Sequence, residues 1–430
     1  YKTHELIQTI NSLERPVNSN QINEMFSNLD DSNFSELIEI CRRLIYKLDG
    51  SDSNDRNSLI NWKNKYMDIL TNKYSTDLYS ISIDSLSSIP KVLPMYSDEE
   101  KFVDGRIIIR DNFDKLLENN SKIFIFGEDV GKIGDVNQGL EGLQKKHGKN
   151  RVFDTSIRES TIVGQGIGMS MRGLRPIAEI QYLDYILYAL QILSDDLGTL
   201  TYRTHGGQKA PLIVRTRGHR LEGIWHSGSP LGGMISFLRG VFILTPRNMT
   251  KAAGFYNTLL DIDQPAVVIE PLNGYRTKEQ LPSNYGQFKT PIGEIEILKE
   301  GTDITLVSYG STFNIVINVA EEIEKYGISC EVIDVQSLIP FDIKKEISKS
   351  VIKTNRLLII DEDLPGGCSS YILQELLEKQ DIYEHLDSKP SLLTAKDHRP
   401  PYGSDGDYVS KPSFEDIFER IYSIMTVSYT

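Results

Sequence analysis

Cysteine is scarce in this sequence. Three residues, Cys41, Cys330 and Cys368, lie far apart in a chain of 430, and no CxxC pair is present. Disulfide frameworks and structural zinc sites need several closely spaced cysteines, so this usage argues against both. A reducing cytoplasm is therefore the predicted location, because free thiols persist there.

Basic charge and long apolar runs are also in short supply. The chain has 47 Lys and Arg against 60 Asp and Glu, a formal net charge of -13. Nucleic-acid binding depends on clustered cations, so no nucleic-acid partner is predicted. No apolar run approaches the length that crosses a bilayer and no signal peptide opens the chain, so no membrane association is predicted. The chain begins at Tyr1 rather than Met, which is typical of a fragment or a trimmed product.

The first 75 residues form a segment of their own. They are rich in Asn, Ser, Asp and Lys, and their apolar residues recur at helical spacing. One apolar stripe consists of Leu37, Ile38, Ile40, Cys41, Leu44 and Ile45, and a second of Trp62, Tyr66 and Ile69. Because no catalytic constellation occurs here, residues 1–75 are predicted to be a helical linker or docking arm. Residues 76–104 are predicted to be an extended connector.

From Arg106 onward, helical and strand patterns alternate. This alternation predicts an α/β fold of two doubly wound, mainly parallel-sheet domains, over 105–283 and 290–430, with a turn-rich break between them. The predicted strands are 123–126, 176–180, 212–217, 241–244 and 266–270, then 304–308, 330–335, 357–360 and 392–394. The predicted helices are 106–118, 156–172, 185–202, 248–260, 312–326, 342–353, 369–379 and 414–424.

One stretch organises the first domain. Ser156 and Glu159 have the Ser-x-x-Glu spacing of a capping box and predict a helix N-terminus. Gly164 and Gly168 lie four apart on one face of that helix, where another backbone could approach closely. The helix is predicted to end at Arg172-Gly173, and a short buried strand follows. Polar and aromatic residues come after that strand, at the end where open parallel sheets bind ligands: Gln181, Tyr182, Asp184 and Tyr185.

This stretch also carries a family resemblance. Glu159, the glycine-spaced helix and the segment RPIAEIQYLDY at 175–185 resemble the β subunit of the decarboxylating component of 2-oxoacid dehydrogenase complexes. Those are thiamine diphosphate enzymes of the transketolase superfamily. The similarity runs from about Gly105 to about Met425 and suggests the fused bacterial form, in which α-like and β-like parts share one polypeptide. It implies a pyrimidine-binding domain followed by a transketolase-type C-terminal domain.

The resemblance assigns roles at the cofactor. Glu159 matches the carboxylate that faces a ring nitrogen of the cofactor's aminopyrimidine, and burial among apolar neighbours would raise its pKa toward neutrality. The local alternative is that Glu159 only caps its helix. Tyr185 matches an aromatic ring that packs on the aminopyrimidine, although a core aromatic is the alternative. Ile157 is placed in the same cofactor-binding set.

Two further candidates lie outside that stretch. His226, in the small-residue loop 223–230, matches a histidine at the mouth of the active site, near substrate and the lipoyl arm; a surface histidine is the alternative. Glu128 and Asp129 form an acidic pair after a buried strand, and Glu128 is carried over as an active-site neighbour, with solvated loop acids as the alternative. Weaker candidates are His219 and Arg220 for an acidic substrate, and His398, which could equally belong to a turn.

A diphosphate and metal site is not evident. The family holds Mg²⁺ through Gly-Asp-Gly followed further along by Asn-Asn, because the ion needs oxygen ligands beside phosphate. Residues 404–407 lack the leading glycine, Asn119-Asn120 has no upstream partner, and the acids and glycines of 361–367 contain no nucleotide-binding motif. The chain is therefore expected to hold only the pyrimidine end of thiamine diphosphate, with Mg²⁺ in an α-like part that this chain lacks.

The predicted function is the β-like half of such a component. It would decarboxylate pyruvate or a branched-chain 2-oxoacid oxidatively and pass the acyl group to the lipoyl arm of a dihydrolipoyl acyltransferase. Its partners would be an α-like subunit or domain, in a homodimer or an α2β2-like assembly. One alternative is a transketolase-like enzyme on sugar phosphates, which Arg215, Arg217 and Arg220 leave open. Another is a non-catalytic assembly subunit that docks the acyltransferase.

Overall fold

A computed structural model describes residues 2–13, 34–48, 54–218, 229–401 and 403–426. The chain divides into two compact units, residues 1–76 and 77–430. The smaller unit contains helices α1 (Lys2–Asn11), α2 (Phe34–Lys47) and α3 (Asn54–Ser75). The first predicted stripe is buried, as are Trp62 and Tyr66. The prediction for Ile69 is wrong, since its side chain is 47% exposed and no residue of α3 beyond Tyr66 is buried.

The larger unit alternates strands and helices as predicted. Its described strands, β1 to β14, are Phe102–Asp104, Ile123–Gly127, Val152–Asp154, Arg175–Glu179, Ile213–Arg217, Phe242–Leu244, Ala266–Glu270, Lys278–Gln280, Glu296–Lys299, Ile304–Ser308, Cys330–Asp334, Ser337–Ile339, Leu357–Ile360 and Ser391–Leu393. Its described α-helices, α4 to α14, are Gly105–Asn119, Leu143–His147, Glu159–Met171, Thr199–Arg203, Leu231–Phe237, Met249–Leu260, Phe313–Ile323, Glu346–Thr354, Cys368–Gln374, Ser404–Ser410 and Phe414–Thr426. Shorter 3₁₀ or π turns lie at Ile83–Ser88, Leu183–Ala189, Ile192–Gly198, Leu272–Tyr275, Gly310–Thr312, Glu324–Tyr326, Glu375–Lys379 and Ile382–His385.

The first sheet has seven strands in the order β12-β6-β7-β5-β4-β2-β3. All of its neighbours pair in parallel except β12, which is antiparallel to β6. Parallel sheets are covered on both faces, which explains the nearly continuous apolar runs in these strands. Gly127 at the end of β2 lies opposite Asp154 of β3 and Glu179 of β4. The carboxyl ends of these strands therefore share one edge of the sheet, called the carboxyl edge below.

The second sheet has the order β14-β13-β10-β11-β9, parallel except for β9. The predicted fold class, two mainly parallel sheets wrapped by helices after a helical arm, is confirmed. The sequence did not predict that β12, which follows β11 in the chain, crosses to pair with β6 of the first sheet. A three-residue strand has no periodicity to detect, and its partner is set by tertiary packing.

The predicted helix over 185–202 is wrong in form. The segment is instead a 3₁₀ turn at Leu183–Ala189, a π turn at Ile192–Gly198 and then α7. In the 3₁₀ turn the buried residues recur every third position, at Leu183, Ile186 and Ala189, which matches a helix of three residues per turn. Burial of these three side chains in the core thus favours the 3₁₀ form over the α-helix.

Helix α6 differs from prediction at its start and on its glycine face. It begins at Glu159 with Arg158 as its N-cap, and no side chain caps it, so the predicted capping box of Ser156 is not formed. Its end agrees with prediction, with Gly173 at φ +82 just beyond. A Cβ at Gly164 or Gly168 would meet nothing within 4 Å. The predicted approach of another backbone is therefore not made within this chain; the tight contact is instead at Gly166, where a Cβ would lie 2.6 Å from the Leu212 side chain.

Helix α11 begins later than predicted because its first acid is a cap. Asp342 accepts hydrogen bonds from the backbone N–H groups of Glu346 and Ile347, both at 2.9 Å. A carboxylate that satisfies N–H groups of the first turn stands before the helix, not inside it. The predicted helix 342–353 is therefore Glu346–Thr354.

Candidate active site

Three strand exits meet at the carboxyl edge of the first sheet. Glu128 and Asp129 follow β2, the loop after β3 leads to Glu159 at the start of α6, and Gln181 follows β4. The parallel register brings these exits together, although they are far apart in the sequence. Several acids and an amide therefore follow neighbouring strands at the same edge of the sheet.

Glu128 and Glu159 are electrostatic neighbours across this edge. Both side chains are half-buried. Burial raises the pKa of the Glu128 carboxyl, and the charges of Asp129 and then Glu159 raise it further. The expected burial of Glu159 is only partial in this chain.

Asp129 is held in place from two sides. Its carboxylate accepts a hydrogen bond from the Gln181 side-chain amide, with Nε2 at 3.1 Å from Oδ2. Its carbonyl accepts one from the backbone N–H of Asp135 at 2.8 Å. The backbone of Asp129 has φ +58, a left-handed conformation that costs a non-glycine residue about 1 kcal/mol or more. The surrounding contacts must therefore favour this arrangement.

The apolar candidates lie beside these acids in the chain. Tyr185 is half-buried in the 3₁₀ turn after β4, with its ring centroid 5.9 Å from that of Tyr182 in an edge-on arrangement. Ile157 is 72% exposed on the loop that precedes α6. An aromatic face and an exposed aliphatic side chain thus accompany the acids, as a planar heterocycle would require.

Several predicted residues do not join this group. His219, Arg220 and His226 lie outside the described residues. His398 is exposed, with Nδ1 at 3.0 Å from the carbonyl of Arg399. Asp361 is buried and accepts hydrogen bonds from Tyr309 Oη at 2.6 Å and from the backbone of Ser369 at 2.8 Å, so its loop is structural.

Sequence reasoning missed a buried cluster of five charges behind the acids. Its members, here called the buried charge cluster, are Asp135, Glu179, Arg215, Arg217 and Glu270, each with a side chain that has no solvent exposure. Arg215 contacts Asp135 and Glu270, both at 2.9 Å, and also Glu179. Arg217 donates to Glu179 at 2.8 Å. The signal in the sequence was the presence of charged residues in strands β4, β5 and β7, namely Glu179, Arg215, Arg217 and Glu270.

The pKa values of two acids of the buried charge cluster, Glu179 and Asp135, shift in opposite directions. Burial raises the pKa of Glu179 and outweighs both guanidiniums. Burial also tends to raise the pKa of Asp135, but the charges of Arg217 and Arg215 have the larger effect, so the pKa of Asp135 is lowered. Because Arg215 and Arg217 are fully buried and paired with carboxylates, they are not available to bind a sugar phosphate.

The residues fit the pyrimidine end of thiamine diphosphate by the chemistry of their groups. Glu128 and Glu159 can exchange protons with ring nitrogens, and Tyr185 offers an aromatic face. Among the residues that the structure describes, no group of three or more His, Cys, Asp and Glu side chains could hold a metal ion. In the same part of the chain, no helix has the length and apolar character to cross a membrane.

Comparison with known proteins defines the class first. The model for the transketolase pyrimidine binding domain matches residues 103–278, and that for the transketolase C-terminal domain matches 293–409. A split-gene transketolase described as an inactive β4 tetramer shares the fold with a TM-score of 0.59 and 18% identity, over 75% of this chain and 98% of that one. Transketolase from Campylobacter jejuni gives a TM-score of 0.54 and 15% identity, over 86% and 54%. The chain is thus a transketolase-type α/β protein.

Sequence relatives then define the family. The pyruvate dehydrogenase E1 component subunit beta of Acholeplasma laidlawii is 32% identical over 312 residues, 72% of this chain and 94% of the relative. The 2-oxoisovalerate dehydrogenase subunit beta of Bacillus subtilis is 30% identical over 283 residues, 65% and 85%. The chain belongs to the family of 2-oxoacid dehydrogenase E1 β subunits, which is thiamine-diphosphate-dependent, and the resemblance is confirmed.

Proposed function

We propose that this chain is the β-like half of an enzyme that decarboxylates pyruvate or a branched-chain 2-oxoacid oxidatively and transfers the acyl group to a lipoyl arm. The observation that carries the proposal is the meeting of Glu128 and Glu159 at the carboxyl edge of the pyrimidine-binding sheet, with Tyr185 following the neighbouring strand. Family membership supports the substrate class, because relatives of both kinds match at similar identity.

The chain's own residues would bind, orient and manage protons. Thiamine diphosphate, when bound, supplies the electron sink for decarboxylation. Glu159 would hold a proton against the aminopyrimidine ring nitrogen, and Tyr185 and Ile157 would pack on that ring. Glu128, whose pKa is raised by burial and by the charges of Asp129 and Glu159, would hold a proton more tightly than an ordinary carboxyl. His226, assigned from the sequence, would serve the substrate or lipoyl steps.

The remaining parts of the site would come from partners. We propose that an α-like subunit or domain holds the diphosphate and Mg²⁺, since these need an oxygen-rich ligand set. The cofactor would then be clamped between two parts of a homodimer or an α2β2-like assembly. A dihydrolipoyl acyltransferase would receive the acyl group.

Replacing Glu159 by Gln in the assembly with its α-like partner should lower 2-oxoacid turnover by about 10² to 10⁴, the usual range for a proton-transfer group. The isosteric amide cannot exchange the proton. Ser160→Ala, one position along α6, is the matched control and should keep turnover within a factor of a few. Calorimetry of thiamine diphosphate binding to each assembly separates lost binding from lost proton transfer. Normal turnover of the Glu159→Gln assembly would refute the assigned role.

A further inference from the structure

The buried charge cluster is connected by hydrogen bonds to the residues of the carboxyl edge. Its two guanidiniums reach three carboxylates, and the Tyr275 hydroxyl accepts from Arg215 at 2.8 Å and from Arg217 at 3.1 Å. All of these side chains are excluded from water. Buried charges persist only where geometry and hydrogen bonds satisfy them, so their positions are tightly determined.

Two chains of hydrogen bonds, here called arms, run from the buried charge cluster to one residue of the carboxyl edge, Asp129. In the first arm, Arg217 donates to the Gln181 carbonyl at 3.0 Å, and the Gln181 side-chain amide donates to the Asp129 carboxylate at 3.1 Å. In the second arm, Arg215 holds the Asp135 carboxylate at 2.9 Å, and the Asp135 backbone N–H donates to the Asp129 carbonyl at 2.8 Å. Both arms support the left-handed backbone of Asp129, which is unfavourable by itself.

We propose that Arg217 is a positioning residue of the site: by its hydrogen bond to the Gln181 carbonyl it places Gln181, whose side-chain amide holds the carboxylate of Asp129, the residue that follows Glu128 in the chain. The proposal rests on the proposed function, because it concerns the acids assigned to the cofactor's pyrimidine. A neighbouring like charge raises the pKa of a carboxyl, so the position of the Asp129 carboxylate affects the proton affinity of Glu128. The charges that act on Glu128 are those of Asp129 beside it and of Glu159 at the start of α6. Asp154 lies opposite Gly127 in the strand register and accepts a hydrogen bond from the Gly131 backbone at 2.6 Å.

The role depends on the shape of the guanidinium and not only on its charge. Arg217 makes three directed contacts at once: Nε to Tyr275, Nη1 to the Gln181 carbonyl and Nη2 to Glu179. A lysine ammonium keeps the charge but cannot reproduce this planar fork. Arg217→Lys therefore tests positioning separately from net charge.

The test measures the proton affinity of Glu128 in the full chain by ¹³C NMR of labelled glutamate carboxyls, with Glu128→Gln to assign the signal. In Arg217→Lys and Gln181→Met the Asp129 carboxylate is released. The Glu128 midpoint should then fall by roughly half a pH unit, the size of one solvent-screened like-charge contact. Gln181→Met removes only the amide donor, so it keeps the proposal testable if Arg217→Lys does not fold.

Arg175→Lys is the matched control. Arg175 lies at the opposite end of β4, is 12% exposed, and donates to the carbonyls of Leu259 at 2.7 Å and Ile262 at 2.6 Å. Its loss should destabilise the chain without moving the Glu128 midpoint. An unchanged midpoint in folded Gln181→Met, or an equal shift in Arg175→Lys, overturns the proposal.

A second readout comes from the assembly with the α-like partner. The pH profile of kcat should move to lower pH in Arg217→Lys and in Gln181→Met, with KM unchanged, and Arg175→Lys should keep the wild-type profile. A fall in kcat with no movement of the profile would indicate a structural role and overturn the proposal. If the wild-type assembly turns over no 2-oxoacid, the proposed function fails, while the NMR midpoints still decide the positioning role.

Discussion

Glu128 stands at the exit of one strand, and Glu159 begins the helix that follows the next strand of the sheet. Neither residue is fully buried, yet Glu128 has a raised pKa because burial and two neighbouring carboxylates act together. Asp129 is adjacent in the sequence, whereas the burial and the proximity of Glu159 depend on the fold. At the residue scale, the site therefore depends on neighbours from separate elements. The hydrogen bonds of the buried charge cluster can be tested by removing single tyrosine hydroxyls.

Tyr275→Phe should destabilise the larger unit by about 1–3 kcal/mol. The Tyr275 hydroxyl accepts from Arg215 and Arg217 and donates to Glu270, so its removal leaves buried polar groups without their partner. Chemical denaturation monitored by fluorescence measures the change.

Tyr285→Phe is the matched control for that experiment. The Tyr285 hydroxyl is buried with no hydrogen-bond partner in the described part of the chain, so its removal should be neutral or stabilising. Equal destabilisation by the two substitutions would show that the Tyr275 contacts contribute nothing specific.

At the scale of one element, helix α6 carries Glu159 and packs against strand β4 of the first sheet. Gly166 faces Leu212 so closely that any side chain must displace it, whereas Gly164 faces open space in this chain. The predicted approach of another backbone to Gly164 and Gly168 is not made within this chain, and the tight contact is between Gly166 and the Leu212 side chain. Helical spacing shows which residues share a face, but not which face meets the core.

Gly166→Val should destabilise the chain by about 1–3 kcal/mol through overpacking against Leu212. Gly164→Ala on the same helix should be neutral or stabilising in the isolated chain, since alanine favours helix by about 1 kcal/mol. Thermal unfolding of both variants measures the contrast. A stable Gly166→Val protein would mean that Leu212 moves aside freely.

At the scale of the whole larger unit, the two sheets are joined by charge as well as by β12. Arg247, just after β6 of the first sheet, contacts Asp334 of β11 at 2.7 Å and also Glu296 of β9. Lys251 on α9 adds a contact with Glu296 at 2.8 Å. Burial raises the pKa of Asp334 to about 6, although Arg247 acts against this. Burial tends to raise the pKa of Glu296 as well, but the charges of Arg247 and Lys251 have the larger effect, so the pKa of Glu296 is lowered.

The raised pKa of Asp334 predicts a pH-dependent stability. Between the unfolded value near 3.9 and the folded value of about 6, the folded state binds the proton more tightly, so the free energy of unfolding falls as pH rises. The full effect is roughly 3 kcal/mol at most. Glu296 acts in a different window, because its lowered pKa makes stability fall as pH drops below about 4.3.

Asp334→Asn should reduce the dependence of the free energy of unfolding on pH between about 4 and 6. Urea denaturation at several pH values from about 4 to 6.5 measures the difference in slope from wild type. Asp98→Asn, an exposed carboxyl on the connector, is the control and should keep the wild-type slope. An Asp334→Asn profile parallel to wild type across this range would contradict the prediction.

The sequence by itself determined the class of fold and the order of its elements. Strands such as Ile304–Ser308 and Leu357–Ile360 were predicted at their observed bounds, because continuous apolar runs between turn residues are a local property. The segment around Glu159 was enough to predict the family, since motif residues are also local. The interiors of the helices were predicted on the same local grounds. The 3₁₀ and π turns at 183–198 were not predicted, because packing against the core determines which helical form they take.

Only the tertiary structure decided which charges meet. Arg215 and Arg217 looked available for phosphate in the sequence, yet the fold places both among buried carboxylates. Likewise, the two arms that converge on Asp129 begin on strand β5, which follows it by many residues in the chain. Pairing of charges across a parallel sheet depends on strand order and register, and neither can be read from local periodicity.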